Sequence, residues 1–426
     1  MQTDPDQKIP KGRPPLRNQG LGIGLGLLLG ISLLSAGGAA LLLWKFGAQA
    51  VAQTASLWVG HHFRSGRCGN DQNTVATLPA LGTPPTLTAR VSLTGLESPV
   101  GLAALPDRQL LIAEKRGLLK IQKGGEVTAQ LVGDVSSLVD SSLQNGLLGI
   151  ALHPSFGVGG EDRVFVMFTR SGDGAVTLAS LQLKSPGNTI DLTSMRLLLV
   201  VPRTNTDHPG GGMAFLPSGS LLIGIGDGLI PAEAQNESSF LGKIVEISVD
   251  DPSVGPQIFA RGFRNPWRIA FDPGGDQVWI SDVGSDCIEE IDRVALTAPK
   301  ELRNFGWPMY EGESLNSMDL VIRGMNPEPP NGFAHPITTY AHTPDGACAA
   351  IGGAVIGDWY VFGDYCDGVL RGLPIDAAVG TAAAPMLDLN SLGSRVGITG
   401  VIRDSMGRLW ALDGWGGAII SIEAKP

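Results

Sequence analysis

The chain has 426 residues, 43% of them hydrophobic and 17% charged, with a formal net charge of −10. That length holds one large domain or two ordinary ones, and the acidic balance argues against nucleic acid, whose phosphates need a basic footprint. The 59 glycines and 29 prolines exclude a helical protein and fit many short strands joined by turns.

The first expected element is a membrane anchor. No charged residue occurs from Gly20 to Leu43, and about 20 apolar residues suffice to span a bilayer. Lys8, Lys11, Arg13 and Arg17 precede this run, so the positive-inside bias keeps residues 1–19 as a cytoplasmic tail. Residues 20–44 form one N-terminal transmembrane helix, with Trp44 and Lys45 at the interface. Everything beyond lies outside the cytoplasm, in the periplasm or on the cell surface. A cleaved signal peptide ending near Ala48-Gln49-Ala50 is the rival reading, and it exports the same domain. Residues 45–87 show little strand pattern and read as a juxtamembrane stalk.

A repeat fills the rest. Apolar residues, a polar Pro/Gly/Asp turn and an alternating apolar strand recur at Leu102–Glu114, Ile150–Arg170, Ala214–Gly228, Ala270–Gly284, Ala354–Tyr365 and Val401–Gly414. Six such units of short strands predict an all-β, six-bladed β-propeller over residues 88–426. Unrelated hairpins of a β-sandwich would show steadier and shorter turn spacing.

All four cysteines, Cys68, Cys287, Cys348 and Cys366, follow the anchor. An even count in an exported chain favours disulfides. Cys348 and Cys366 bracket two apolar runs and read as a local staple, which leaves Cys68 and Cys287 to each other or as two buried thiols. None of the spacings is that of a zinc site.

Three polar clusters stand just before successive repeats. They are Gln144-Asn145-Gly146, Asp207-His208 ahead of three glycines, and Arg264-Asn265 ahead of Pro266. Blade-connecting loops converge at one end of a propeller channel, so the three face one site. His208 is the candidate general base, because imidazole titrates nearest neutral pH. Asp207 either orients it or binds substrate hydroxyls. Gln144 suits a sugar hydroxyl. Arg264 offers a planar cationic fork for an oxygen that gains negative charge, and Asn265 donates to the same atom. The glycines after His208 let a flat ligand approach the backbone. There is no Ser-x-Gly nucleophile elbow, phosphate-binding glycine loop or HExxH motif.

At these residues the chain resembles the glucose/sorbosone dehydrogenase family, soluble quinoproteins that use pyrroloquinoline quinone (PQQ). The landmarks are QNGLLGIALHPSF (Gln144–Phe156), DHPGGGMAFLPSGSLLIGIGDG (Asp207–Gly228), LGKIVEI (Leu241–Ile247), ARGFRNPWRIAFDP (Ala260–Pro273), SDVGSDCIEEID (Ser281–Asp292) and NFGWPMYEG (Asn304–Gly312). The resemblance implies a six-bladed propeller that oxidises the CH–OH group of an aldose or related alcohol. In that reading His208 takes the proton of the anomeric hydroxyl, and hydride passes to the quinone. Gln144 and Asp207 lie on the substrate side, with Arg264 and Asn265 at the reactive quinone carbonyl. Asp227 and Gly211 complete the cofactor residues. The carbonyls of Gly284 and Ser285 hold the calcium that pins the cofactor. A cytochrome or membrane quinone takes the electrons.

The late segments depart from the pattern. Cys366 and Asp367 stand about where a lysine is expected, and Arg371, Arg395 and Arg403 do not align with the family's cofactor-binding arginines. The GDYC stretch (Gly363–Cys366) resembles the branch with hedgehog-interacting-protein-like propellers. Two further readings stand beside the dehydrogenase: a cofactor-free propeller that binds carbohydrate or protein outside the cytoplasm, and a calcium-dependent lactonase, for which the sequence offers no convergent set of carboxylates.

Overall fold

The computed structural model describes residues 83–425, apart from internal stretches at 185–187, 273, 275, 286, 300–302, 313, 316–332, 344–345, 378–385 and 394. The expected tail and anchor, and the stalk up to residue 82, lie outside the described residues. Among the described residues no helix is long and apolar enough to cross a membrane.

Six four-stranded antiparallel sheets make up the fold. The first strand, β1 (Thr86–Leu93), pairs with the last strand of the chain. Blade 1 is β2 (Pro99–Ala104), β3 (Leu110–Glu114), β4 (Leu118–Gln122) and β5 (Gln130–Asp134). Blade 2 is β6 (Leu147–Leu152), β7 (Arg163–Thr169), β8 (Val176–Lys184) and β9 (Thr189–Val201). Blade 3 is β10 (Met213–Phe215), β11 (Leu221–Ile225), β12 (Lys243–Ile247) and β13 (Gln257–Arg261). Blade 4 holds β14 (Pro266–Phe271), β15 (Gln277–Asp282) and β16 (Ile288–Ala295). A short pair, β17 (Tyr310–Glu311) and β18 (Ser314–Leu315), intervenes before its outer strand β19 (Thr338–Ala341). Blade 5 is β20 (Ala350–Ile356), β21 (Trp359–Asp364), β22 (Val369–Pro374) and β23 (Leu387–Ser391). Blade 6 is β24 (Ile398–Arg403), β25 (Leu409–Asp413), β26 (Ala418–Lys425) and, as its outer strand, β1.

Each of the six repeats read from the sequence is the inner hairpin of one blade. Their first strands contact one another in the order β2, β6, β10, β14, β20, β24 and back to β2, which closes a ring around a channel. Chain closure follows from β1, which joins the beginning of the propeller to its end through a register from Thr86↔Lys425 to Leu93↔Ile419.

Packing between blades explains the continuous apolar runs of the middle strands. In β7, Val164, Val166 and Phe168 enter the core shared with blade 1, whereas Phe165 and Met167 enter the core shared with blade 3. In β15, Val278 and Ile280 face blade 3 and Trp279 faces blade 5. A strand buried on both faces has no polar alternation to show. The Trp279 ring stacks on Tyr360 of blade 5 with centroids 4.5 Å apart. Burying a side chain of this size contributes on the order of 1.5–3 kcal/mol. Cys348 and Cys366 form a disulfide, as expected. Cys287 is also disulfide-bonded, and its expected partner Cys68 lies outside the described residues.

Candidate active site

The site is built where β6, β10 and β14 begin. Three loops, each immediately before an inner strand, bring Gln144, His208 and Arg264 to one end of the channel. The carboxamide Oε1 of Gln144 accepts the backbone N–H of His208 at 3.2 Å. His208 is buried and has φ of 53°, a left-handed conformation that non-glycine residues seldom adopt. The surrounding hydrogen bonds hold it there.

The imidazole is fixed by an acid 19 positions downstream. His208 Nδ1 lies 2.7 Å from Asp227 Oδ1. The other carboxylate oxygen of Asp227 accepts from Trp307 Nε1 at 2.9 Å, and Oδ1 also accepts the Leu229 N–H at 2.8 Å. Burial works to raise the Asp227 carboxyl, but the bond from His208, the charges of His208 and Arg264 and the Trp307 N–H outweigh it and hold it below its ordinary value. Burial pushes the His208 imidazole below its ordinary value, and the Arg264 charge adds to that against the pull of Asp227. The result is a neutral ring at pH 7 whose Nδ1–H is donated to a carboxylate. Nε2 has no protein partner among the described residues, so its lone pair is free to accept a proton.

Arg264 stands over this pair. Its Nη1 donates to Val283 O at 2.9 Å, and its guanidinium lies 5.8 Å from the Trp307 ring centre. The backbone beneath it is gripped by Asp282, whose two oxygens accept Arg264 N at 2.7 Å and Asn265 N at 2.6 Å. Burial pushes the Asp282 carboxyl up to about 7 despite these bonds. Asn265 accepts the Gly210 N–H at 2.9 Å through Oδ1, which ties blade 4 to the His208 loop and leaves Nδ2 with no protein acceptor among the described residues.

Several expectations change in detail. Asp207 is half-buried, and its carboxylate makes no hydrogen bond among the described residues; only its backbone carbonyl is used, by Arg203 Nη1 at 3.0 Å. The residue that orients His208 is Asp227, which the sequence reading placed among the cofactor residues. The glycine run also packs closely against neighbouring strands. A Cβ on Gly210 would meet Gly224 O at 2.2 Å, and one on Gly212 would meet Ile269 Cγ1 at 2.6 Å. The glycines are required because neighbouring strands touch them. Gly211 is used likewise: a Cβ there would meet the guanidinium of Arg268 at 3.1 Å.

At the expected calcium turn, Gly284 N donates to Glu289 Oε2 at 3.2 Å and Ser285 N to Glu311 Oε1 at 2.7 Å. Among the described residues, one trio of metal-ligating side chains comes within ligating reach, Cys348, Asp364 and Cys366. Its two sulfurs are joined to each other, so it offers no thiolate.

Sequence reading missed Trp307, Arg203 and Asp282. Arg203 Nη2 donates to Asn145 Oδ1 at 2.8 Å, and Asn145 in turn donates to Asp140 at 2.9 Å, which fixes the Gln144 loop. Trp307 lies in the NFGWPMYEG landmark and Asp282 in SDVGSDCIEEID, so both were in view without a role. Nothing local to either residue points across the 80 positions between Trp307 and Asp227.

Comparison with known proteins follows the same lines. The chain is 28% identical over 242 residues to the aldose sugar dehydrogenase YliI of Escherichia coli, covering 53% of this chain and 63% of that protein. It is 28% identical over 219 residues to the human Hedgehog-interacting protein, covering 42% of this chain but 31% of that longer protein. Among solved structures, the PQQ-bound aldose sugar dehydrogenase of Streptomyces coelicolor superposes with a TM-score of 0.65 at 23% identity, over 80% of this chain and all of that one. At that identity the likeness establishes the fold. The family model described as Glucose / Sorbosone dehydrogenase matches residues 96–369, and the chain belongs to that family.

Proposed function

We propose that this protein is a PQQ-dependent oxidoreductase that oxidises the CH–OH group of an aldose or related alcohol. The observation that carries the reading is the His208–Asp227 pair. A neutral buried imidazole has one nitrogen committed to a carboxylate and the other uncommitted, with Arg264 and Gln144 beside it. Nε2 accepts the proton of the anomeric hydroxyl, and Asp227 stabilises the imidazolium that results. Arg264 offers positive charge to an oxygen that becomes negative during the reaction. The half-buried Asp207 and the exposed Gln144 supply hydrogen bonds to sugar hydroxyls.

The donor set fits the reacting end of a quinone, with Arg264 and the Nδ2 of Asn265 as the groups that would hold it. When bound, the quinone supplies the two-electron acceptor that the protein's own side chains lack. The carbonyls of Gly284 and Ser285 would hold the calcium. We place the propeller outside the cytoplasm behind the 20–44 anchor, with electrons passing on to a cytochrome or membrane quinone.

One observation favours a second reading, a cofactor-free propeller that binds carbohydrate or protein. Two of the late basic residues lie away from this site. Arg371 is paired with Asp367 inside blade 5, and Arg403 ends β24 at the far end of the channel. A direct test is titration of the full chain with the quinone and millimolar calcium, followed by dye reduction with a panel of aldoses. Cofactor binding and turnover are expected, and His208→Ala should keep the first and abolish the second. Absence of quinone binding would sink the dehydrogenase reading and leave the binding module.

A further inference from the structure

Arg268, four positions after Arg264 and on the inner strand β14, reaches into the channel, and its surroundings are unusual for a charged group. It is 8% exposed. Nη1 donates to Trp267 O at 2.8 Å and Leu148 O at 3.2 Å, and reaches toward Gly211 O at 3.5 Å. Nη2 donates to Val100 O at 2.6 Å. A Cβ on Gly352 would meet Arg268 Cβ at 2.6 Å, and one on Gly400 would meet its Nε at 3.4 Å. One side chain therefore meets all six blades and closes the channel across its width.

No carboxylate is paired with it. Its acceptors are backbone carbonyls, Nε has no protein acceptor among the described residues, and burial alone brings the guanidinium down to about 9. It is thus still charged at neutral pH. A buried cation without a counter-ion is costly, and carbonyl dipoles offset part of that cost without cancelling the charge.

Below Arg268 lies a cavity of about 620 Å³. It is lined by the later residues of the six inner strands and by the β24–β25 turn at Ser405 and Gly407. None of Gln144, His208, Asp227, Arg264 or Asn265 borders it, so it is separate from the site at the other end. The walls are mostly aliphatic and aromatic, Leu102, Ile150, Met213, Phe215, Ile269 and Val401 among them, and Arg403 stands at the rim near the turn. Asp404, beside Arg403 at the same turn, is paired with Arg408 and Trp410, so Arg268 is the lining charge deep in the channel. A volume in the range of about 300–1,000 Å³, mostly apolar walls and a few placed charges are the attributes of a small-molecule site.

We propose that this lower half of the channel binds a small carboxylate with an apolar body, its head group on the Nε–Nη2 edge of Arg268 and its body along the aliphatic walls. The fork of an arginine matches a carboxylate in geometry, and the pair would neutralise the one buried charge that the protein leaves unpaired here. A neutral ligand of the same body would gain the walls but leave the charge as it is.

The test uses the full chain with sodium octanoate as probe and 1-octanol as its neutral counterpart, followed by calorimetry at low salt. Octanoate should bind with Kd below about 1 mM and at least about tenfold more tightly than octanol. Arg268→Met should weaken octanoate by about tenfold or more and leave octanol unchanged, with the fold checked by circular dichroism. Where Arg268→Met does not fold, Ala151→Trp fills the cavity and keeps the cation; it should abolish binding of both ligands. Equal binding of octanoate and octanol, no octanoate binding at about 10 mM, undiminished binding to a folded Arg268→Met, or retained binding to Ala151→Trp would each overturn the proposal.

Discussion

His208 and Asp227 meet through a 2.7 Å hydrogen bond that is buried at both ends, with Asp227 at 0% exposure. The bond fixes which imidazole nitrogen carries the proton, and so which one is basic. Asp227→Asn keeps the shape and removes the charge. Under the proposed activity, kcat for aldose oxidation should fall by ~10²–10⁴. With the Asp227 charge gone, the His208 pKa drops further, so the acid limb of kcat/KM should also move to lower pH. Steady-state pH profiles of the two proteins check both effects. A variant with unchanged kcat would remove Asp227 from the mechanism.

Arg264 acts on the same titration from the other side. Its charge is the second cause, after burial, that holds His208 below the ordinary imidazole value. The basic form of His208 exists above its pKa, so the wild-type acid limb should lie below the ordinary value of about 6.5. Arg264→Gln removes the repulsion and should shift that limb to higher pH while lowering kcat. A limb that stays in place would mean that a group other than His208 is being titrated.

How much of this was legible in the sequence depends on how local each signal was. The six inner hairpins were readable because each is two apolar strands around a Pro/Gly/Asp turn. Outer strands such as β5 and β23 carry mixed, partly exposed residues, and β1, which begins two residues before the expected start of the propeller, belongs to none of the six repeats because its partner β26 lies more than 300 positions away. The glycine run at 210–212 was noticed for a ligand, but its close neighbours are Gly224 and Ile269. Gln144, His208 and Arg264 were found because each precedes a repeat in the same place. Asp227 was seen but misassigned, since its partnership with His208 is set by where β11 ends rather than by spacing. Arg268 was part of a quoted motif, and its role depends on all six blades at once.

Beneath the site, blade 4 carries four buried carboxyls that burial pushes upward. Asp282 rises to about 7, Glu289 rises above its ordinary value, and Glu290 and Asp292 rise well above theirs. For Asp282 the sign is clear. The folded protein holds a proton that the unfolded chain releases near pH 4, so stability is highest below that pH, falls as pH rises toward 7 and levels off beyond it. Asp282→Asn cannot ionise; its one amide oxygen keeps one of the two bonds from the Arg264 and Asn265 N–H groups, and loss of the other lowers Tm at every pH alike. Thermal unfolding should therefore show a smaller loss of Tm between pH 5 and pH 8 in the variant than in the wild type. An identical pH dependence would show that Asp282 does not titrate in this window.

The Cys348–Cys366 disulfide closes an 18-residue separation across the entry to β20 and the end of β21. Cross-linking a loop of this length stabilises by about 3 kcal/mol through the unfolded chain. Cys348→Ala with Cys366→Ala should lower the unfolding free energy by roughly 2–4 kcal/mol, measured by denaturant titration, and leave His208-dependent chemistry intact because neither sulfur touches the site. A double variant as stable as wild type would show that the inter-blade cores alone hold blade 5.

Trp307 positions rather than reacts. Its Nε1–H occupies Asp227 Oδ2 at 2.9 Å, and its ring lies 5.8 Å from the Arg264 guanidinium. Trp307→Phe keeps an aromatic face for Arg264 and removes the one N–H. Asp227 is then left with a buried oxygen lacking that donor, at a cost of about 1–3 kcal/mol, and its carboxyl should become easier to protonate. Since the His208–Asp227 pair works only while Asp227 is ionised, the variant should lose activity at the acid end of the profile more than at neutral pH, with KM for the aldose little changed. Trp307→Ala also removes the ring from Arg264 and should be the more damaging of the two. If both variants instead lower activity equally at every pH, Trp307 serves only to fill space between blades 3 and 4.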